Sequence, residues 1–467
     1  MGRRNRTSQD DFNAVKSFEE SIKMGETIFL DVSVFEIVVH FYLEHLKLNK
    51  ALKAATIGYE QHPFSSEMMT LKATALLSKG YYDQAEELID KAELYQPNDL
   101  DTILLRVQYL SLQEQYEEGK NYLEEKLLFA DEEDRAELNV AMGGILQDWG
   151  KYEEAIAYYT NALQANPNLE EAIYDLSYCL EIIEKQEDGI VLFQQIIDKE
   201  PFSFDAWFCL GILHFKLENY DKAKDAYEFA VAINDNFAPA HFNLGEVYIF
   251  EEDYERALEH FNKTLKIEGP GPDIYFSIAF CMERLGKYSK AIEFYQKASK
   301  INNFYDEAYY GIGRCLEAQD KSYEAVHFYS KAIKLDQHNP AYWLAKADAE
   351  YKTGNITSCL EAYQEACVLD PLNPEVWKNW SFVHFESGNY VEAYDLILAG
   401  LEEIPDDADL HYRAVIYLIN AGNYKEGFNY LENALILDFE KHHVLFEFFP
   451  RLETQKALYK IIDQYRK

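Results

Sequence analysis

Laid against itself, the sequence matches at one dominant shift, 34 residues, and no other feature restricts the fold as strongly. Stepping by 34 from Ala223 leads to Ala257, Ala291, Ala325, Cys359, Ala393 and Gly427, and stepping backwards leads to Gly189 and Ala155, all of them small. A step of 36 then reaches Gly119, after which Ala85 and Ala51 follow at 34 again, so one two-residue insertion, near Asp134 and Arg135, interrupts a constant period. The need for a small residue is physical. Two helices crossing at roughly 8–10 Å leave no room for a large side chain, and an enlarged one overpacks at a cost of about 1–3 kcal/mol.

With this small residue numbered as position 20 of each repeat, other positions fall into line. Position 24 is aromatic in seven consecutive repeats, Tyr159, Phe193, Tyr227, Phe261, Tyr295, Tyr329 and Tyr363. Four residues past the anchor, it shares the anchor's helical face and is placed to fill the space beside the close crossing. Position 4 carries Trp207, Tyr275, Tyr309, Trp343 and Trp377, while position 8, one turn on, carries Gly211, Gly245, Ala279, Gly313, Ala347 and Ser381, so that large packs beside small. Position 32 is proline in six repeats, Pro63, Pro97, Pro167, Pro201, Pro371 and Pro405, where the missing N–H and fixed φ stop the second helix. Each repeat reads helix, turn, helix, stop.

The run of W-x-x-L-G, a small residue, an aromatic four later and a closing proline resembles the tetratricopeptide repeat, most clearly in DAWFCLGILHFKLENYDKAKDAYEFAVAIND at 205–235. The resemblance implies an all-α fold, a right-handed superhelical solenoid of about twelve tetratricopeptide helix-turn-helix repeats with terminal capping helices. The copies fall at 32–65, 66–99, 100–133, 136–169, 170–203, 204–237, 238–271, 272–305, 306–339, 340–373, 374–407 and 408–441. Repeats 1, 3 and 12 depart from the family's pattern, with Ala55, Lys126 and Val415 where it holds an aromatic, Ala and Gly. Residues 1–31 form an N-terminal segment with a capping helix over 10–31, and 442–467 form a C-terminal capping helix, where LYKIIDQY sets Leu458, Ile461, Ile462 and Tyr465 on one face.

Acidic residues outnumber basic ones 82 to 44, a formal charge of −38, which repels nucleic acid and anionic lipid. Cys179, Cys209, Cys281, Cys315, Cys359 and Cys367 lie in apolar helical runs without CxxC or compact disulfide spacing and read as small core residues. Residues 27–46 come closest to a membrane span, but Asp31, Glu36, His40 and Glu44 interrupt them about once per turn, the rhythm of an amphipathic helix. The start, MGRRNRTSQDDF, has no apolar stretch behind it, and Arg6 stands where a myristoylation signal wants Ser or Thr. The expectation is a cytoplasmic protein without direct membrane insertion.

Chemistry is hard to find. The phosphate-loop GxxxxGKS/T, GxSxG, HExxH and Cys/His zinc spacings are all absent from the sequence. GPGP at 269–272 reads as a helix stop and turn, and the adjacent His442 and His443 point to different helical faces. Acidic clusters such as Glu117 and Glu118, Glu124 and Glu125, and 131–134 fall on exposed positions, where carboxylates are solvated rather than catalytic. No enzyme activity, catalytic residue, metal or cofactor is expected.

What the resemblance implies instead is a groove, lined by the first helices, in which positions 2, 5, 9, 12 and 13 face a bound peptide. Carried onto this sequence, position 5 supplies Tyr174, Phe208, Phe242, Phe276, Tyr310, Leu344, Lys378 and Tyr412. Position 9 supplies Tyr178, Phe280, Arg314 and Phe382, and position 12 supplies Phe215, Tyr351 and Phe385. Position 2 is acidic in nine repeats, Glu171, Asp205, Asp273, Glu307, Glu375 and Asp409 among them. The family's carboxylate clamp needs Lys at position 5 and Asn at 9, and Lys378 is followed by Phe382 instead; its asparagine ladder needs Asn at position 6, found at Asn243 and Asn379 alone. The expected function is a scaffold or adaptor that grips a protein or peptide segment, with aromatic anchors for affinity and negative charge favouring Lys or Arg between the partner's apolar residues. The alternative, of a different class, is a self-assembling structural subunit of a larger complex.

Overall fold

The computed structural model describes residues 9–24, 29–449 and 456–466. They contain twenty-seven α-helices and one 3-10 turn, with no strand among the described residues. The chain divides into two compact units, Met1–Asp235 and Asn236–Lys467, each a stack of helical hairpins. Hairpins in the first unit run from Val32–Glu44 with Leu48–Gln61 to Phe204–Lys216 with Tyr220–Ile233. Those in the second run from Ala238–Phe250 with Tyr254–Glu268 to Ala408–Asn420 with Tyr424–Leu437. The two-residue insertion is absorbed inside a helix: Glu132–Asp148 has 17 residues where other first helices, such as Ser66–Leu77 and Pro340–Thr353, have 12 to 14.

All twelve small anchors are buried on second helices. At Gly189 an added Cβ would fall 2.7 Å from Leu213 Cδ1 and 2.9 Å from Leu180 Cδ1, so two leucine methyls close directly on the bare backbone of this crossing. The seven rings at position 24 are buried as well, none more than 2% exposed.

Position 8 is small for a reason other than the aromatic at position 4. A Cβ on Gly143, Gly211, Gly245 or Gly313 would lie 2.5, 2.4, 2.6 or 2.3 Å from the position-24 ring of its own repeat. The ring of the second helix is thus seated on the bare backbone of the first. Position 4 does separate work, since the indole N–H groups of Trp207, Trp343 and Trp377 each donate over 2.9 Å to the carbonyl oxygens of Pro201, Gln337 and Pro371. That bond ties each first helix to the turn that precedes it, satisfying the polar tip of a large ring.

Between the two helices the chain reverses through position 15, which is left-handed in all twelve repeats. Six are glycine, Gly80, Gly150, Gly286, Gly354, Gly388 and Gly422, with φ of 71–81°. The others, Leu46, Glu114, Glu184, Glu218, Glu252 and Asp320, hold φ of 53–59° with a side chain in place, a conformation costing roughly 1–2 kcal/mol for an L-residue.

Both ends are covered. Helix Gln9–Met24 buries Val15 and Phe18, the latter edge-on to Phe35 at 5.9 Å. At the other end the expected single capping helix is two pieces: a 3-10 turn, Glu440–His443, continues into Val444–Phe448, and Lys456–Tyr465 follows with Leu458 and Ile462 buried. Pro450 comes next after Phe449, and a residue before proline is driven out of helical geometry; Phe449 stands at φ −126° and ψ 71°. The six cysteines are buried and unpaired.

Candidate functional site

The face formed by first helices is built on the rings just described. In the second unit, Phe242 meets Phe261 at 5.3 Å, Phe276 meets Tyr295 at 5.5 Å and Tyr310 meets Tyr329 at 5.7 Å. Each position-5 ring therefore leans on the buried position-24 ring of its own repeat and stays half-buried, its outer part in solvent. Two of them are braced from the side, Phe276 by Tyr305 at the end of its own repeat, stacked at 5.1 Å, and Tyr310 by Tyr342 of the next repeat at 4.8 Å. Phe280 is half-buried and edge-on to Tyr254 at 6.4 Å. Rings supported from beneath and beside lose little freedom on binding, which is what an anchor requires.

Carboxylates lie between the rings, three of them joined to two other helices and Glu246 to one. The Tyr295 hydroxyl donates to Glu283 Oε2 at 2.7 Å and Arg314 Nη2 donates to the same oxygen at 2.9 Å. Tyr329 donates to Glu317 Oε2 at 2.8 Å and Lys352 to its other oxygen, Oε1, at 2.9 Å. Asp348 accepts from Tyr363 at 2.5 Å and from Asn379 at 3.2 Å, and Glu246 accepts from Ser277 at 3.2 Å. Burial raises Glu246 and Asp348 above the usual carboxylate range. Arg314 also lies over Tyr310, 5.0 Å from the ring centre, so both its charge and its flat face are engaged within the chain. Lys378 is likewise held, 2.6 Å from Glu375 and 3.6 Å from Asp409. Against the effect of burial, Lys441 and Lys378 keep Asp409 below the usual range.

Two expected contact residues need correction, Tyr412 here and Phe208 in the first unit. Tyr412 is fully enclosed and donates its hydroxyl to the Asp438 carbonyl at 2.8 Å, because the 3-10 turn that closes the last repeat packs over it. Phe382 and Phe385, half-buried and 6.5 Å apart, are already approached by Phe448, at 6.3 and 5.9 Å. Arg413 lies beside them, its Cζ 5.5 Å from the Phe382 ring centre and 4.8 Å from that of Phe448. Neither Phe448 nor Arg413 was signalled by the sequence, since Phe448 falls beyond the last repeat and Arg413 sits at position 6, which shows no aromatic or basic recurrence. Tyr351, half-buried, faces Phe382 edge-on at 6.3 Å.

In the first unit the set is smaller. Tyr178 is 48% exposed, Phe215 and Tyr174 are half-buried, and Phe208 is only 7% exposed beneath Tyr227, too enclosed to offer a ring face. Tyr174 donates to Asp205, whose acidity burial weakens, and burial with the nearby Glu171 charge pushes Asp175 up to about 6. Among the described residues no three His, Cys, Asp or Glu side chains gather as a metal site, and no helix is long and apolar enough to cross a membrane. The arrangement offers seated rings, fixed carboxylates and paired cations.

Five profiles of the family described as tetratricopeptide repeat match residues 136–169, 204–237, 236–303, 282–349 and 340–383. The chain is 26% identical over 156 residues to anaphase-promoting complex subunit 7 of Homo sapiens, which covers 33% of this chain and 26% of that protein. Over 99 residues it is 26% identical to protein O-mannosyl-transferase TMTC1 of Homo sapiens, covering 21% of this chain and 11% of that one. The matched part thus spans about a quarter or less of the length of these relatives. A solved APC/C hetero-tetramer, Cut9-Hcn1, is similar at 12% identity over 87% of this chain and 99% of its own, with a TM-score of 0.41.

Proposed function

The chain belongs to the tetratricopeptide repeat family, and from that premise we propose that it is a non-enzymatic protein-interaction scaffold working inside a larger assembly. On this reading the first-helix face of the second unit grips a partner segment. Phe242, Phe276, Phe280 and Tyr310 act as apolar anchors, and Glu246, Glu317 and Asp348 favour Lys or Arg between the partner's apolar residues. Tyr351, Phe382 and Phe385 extend the face in the same unit, and Tyr174, Tyr178 and Phe215 offer a smaller face in the first. The observation that carries the proposal is the seating of each position-5 ring on a buried ring, 5.3–5.7 Å away, with its outer part in water. The name of the relative, a subunit of a multi-protein complex, supports membership of an assembly. Six buried, unpaired cysteines support a reducing, cytoplasmic setting.

Affinity capture with crosslinking and mass spectrometry, run on wild type and on Phe242→Ala/Phe276→Ala, tests the proposal. Loss of the same partner at unchanged helicity supports it; retention of every partner refutes it. Raising salt should slow association more than it speeds dissociation if the carboxylates steer a basic partner. The competing reading, self-assembly, draws on exposed rings at inter-repeat turns of the first unit, Phe64, Phe129 and Phe202, each 76–80% exposed. Sedimentation separates the two, since a stable dimer of wild type that persists in the double variant favours the second.

A further inference from the structure

The segment that follows the last repeat does more than cover it. Leu445 is fully buried as an anchor, and one helical turn later Phe448 lies over the first-helix face two repeats back, 6.3 Å from Phe382 and 5.9 Å from Phe385. The Arg413 guanidinium lies beside both rings, 5.5 Å from the centre of Phe382 and 4.8 Å from that of Phe448. Its Nη1 is enclosed with no hydrogen-bond partner, which leaves a buried donor of a charged group unsatisfied. Tyr417 interacts with the same guanidinium, and the chain's own aromatic side chain fills the apolar part of this place without giving Nη1 an acceptor.

We propose that Phe382, Phe385 and Arg413 form a receptor for an aromatic side chain, that Phe448 occupies it in cis, and that a partner segment docks there by displacing Phe448. The incoming segment carries an aromatic residue and, close to it, a carboxylate or free carbonyl for Arg413 Nη1, so the partner gains a hydrogen bond that Phe448 does not make. This deepens the protein-binding reading above and rests on it. It also gives that reading a regulatory step. A short tether holds the resident ring at an effective concentration of about a millimolar or more, so weak partners are excluded and release of the C-terminal segment opens the site.

The test uses the full chain and a labelled synthetic peptide of residues 440–449 as probe, with fluorescence anisotropy as readout. Phe448→Ala should bind the peptide about tenfold or more tightly than wild type, because the competing ring is gone. Adding Phe382→Ala or Arg413→Ala to that variant should abolish the gain. Hydrogen exchange over Pro374–Glu386 should rise in Phe448→Ala and fall again when peptide is added, which separates an emptied site from an unfolded one. Equal binding by wild type and Phe448→Ala overturns the inference, as does a gain that survives Phe382→Ala. Partner capture that depends on Phe242 and Phe276 and ignores Phe448 leaves the scaffold function standing and removes only this step.

Discussion

Two buried glycines that each abut a neighbouring side chain should respond unequally to alanine. At Gly313 an added Cβ would lie 2.3 Å from Tyr329 Cε1 and 2.6 Å from Cδ1, in a fully buried ring whose hydroxyl is fixed to Glu317 at 2.8 Å. The ring is rigid, so the whole side chain or the helix pair must shift. Alanine gains about 1 kcal/mol of helix propensity over glycine, overpacking a filled core costs about 1–3 kcal/mol, and a strained Tyr329 bond forfeits about 1 kcal/mol more. The balance is a loss of roughly 2 kcal/mol in the hairpin formed by Asp306–Glu317 and Ser322–Leu335. At Gly119 the nearer approach is to Ile145 Cδ1, at 2.0 Å, but every other atom is 3.5 Å away or more. Turning one terminal methyl costs about 0.5–1.5 kcal/mol and offsets the propensity gain, leaving Gly119→Ala within about 0.5 kcal/mol of wild type.

A tandem array need not unfold as one unit, so the measurement is local: hydrogen exchange by mass spectrometry, in rising urea, on peptides from each hairpin. Protection over 322–335 should fall by about 30-fold in Gly313→Ala, the equivalent of roughly 2 kcal/mol. Protection around 116–129 should hardly change in Gly119→Ala. The pairing of positions 8 and 24 predicts further that Gly313→Ala and Tyr329→Leu are not additive, because the smaller side chain opens the space that the methyl needs. Unchanged protection in Gly313→Ala, equal losses in the two alanine variants, or strict additivity would each refute the seating of the ring on the glycine as the cause.

Three other outcomes follow from the same geometry. Glu252→Gly should raise the urea midpoint of its hairpin by the equivalent of about 0.5–1 kcal/mol, because φ of 58° is strained for Glu and free for glycine. Burial and the neighbouring His241, 3.1 Å away between ring nitrogens, lower His260 from its ordinary 6.5 to about 4. The unfolded chain therefore binds the extra proton first, so stability present above pH 6.5 is lost as pH falls from there towards 4. The shift corresponds to roughly 3 kcal/mol, reduced to roughly 1–2 kcal/mol by the water that reaches the ring, and His260→Gln should flatten the dependence of urea midpoint on pH. Trp377→Phe keeps the ring but removes the 2.9 Å bond to the Pro371 carbonyl, and should lower the melting temperature by an amount equivalent to about 1 kcal/mol at that turn.

The scaffold was legible because each repeat solves the same packing problem with the same residue types, so positions 20 and 24 state their burial twelve and seven times over. Causes were less legible than positions. Spacing of four residues suggested that Gly211 yields to Trp207, whereas it yields to Tyr227, sixteen residues on and in another helix. Position 15 went unread because half of its occupants are not glycine; the turn imposes left-handed geometry on Glu218 as it does on Gly286, and the sequence records only the second. Exposure was the least legible property. Phe208, Phe242 and Tyr412 share position 5, yet their enclosure differs with what the next element places against them, and Tyr412 is sealed by a turn that the other repeats do not have.

This difference bears on where function is written in a repetitive chain. Recurring residues are those any hairpin needs in order to stack on the next, and they carry the same meaning in every protein built this way. Three other cations of the first helices are answered by carboxylates of the chain itself: Arg314 by Glu283, Lys352 by Glu317, Lys378 by Glu375. Arg413 differs in having no carboxylate partner: it lies beside two rings with Nη1 unanswered, as Nε of Arg314 is, and Phe448 breaks the period outright. An unsatisfied charged donor beside solvent-accessible rings is a cost that folding alone does not explain. A ligand that supplies the missing acceptor does explain it, which is why the non-repeating end of this face, rather than its regular middle, is where a single substitution should discriminate most sharply between partners.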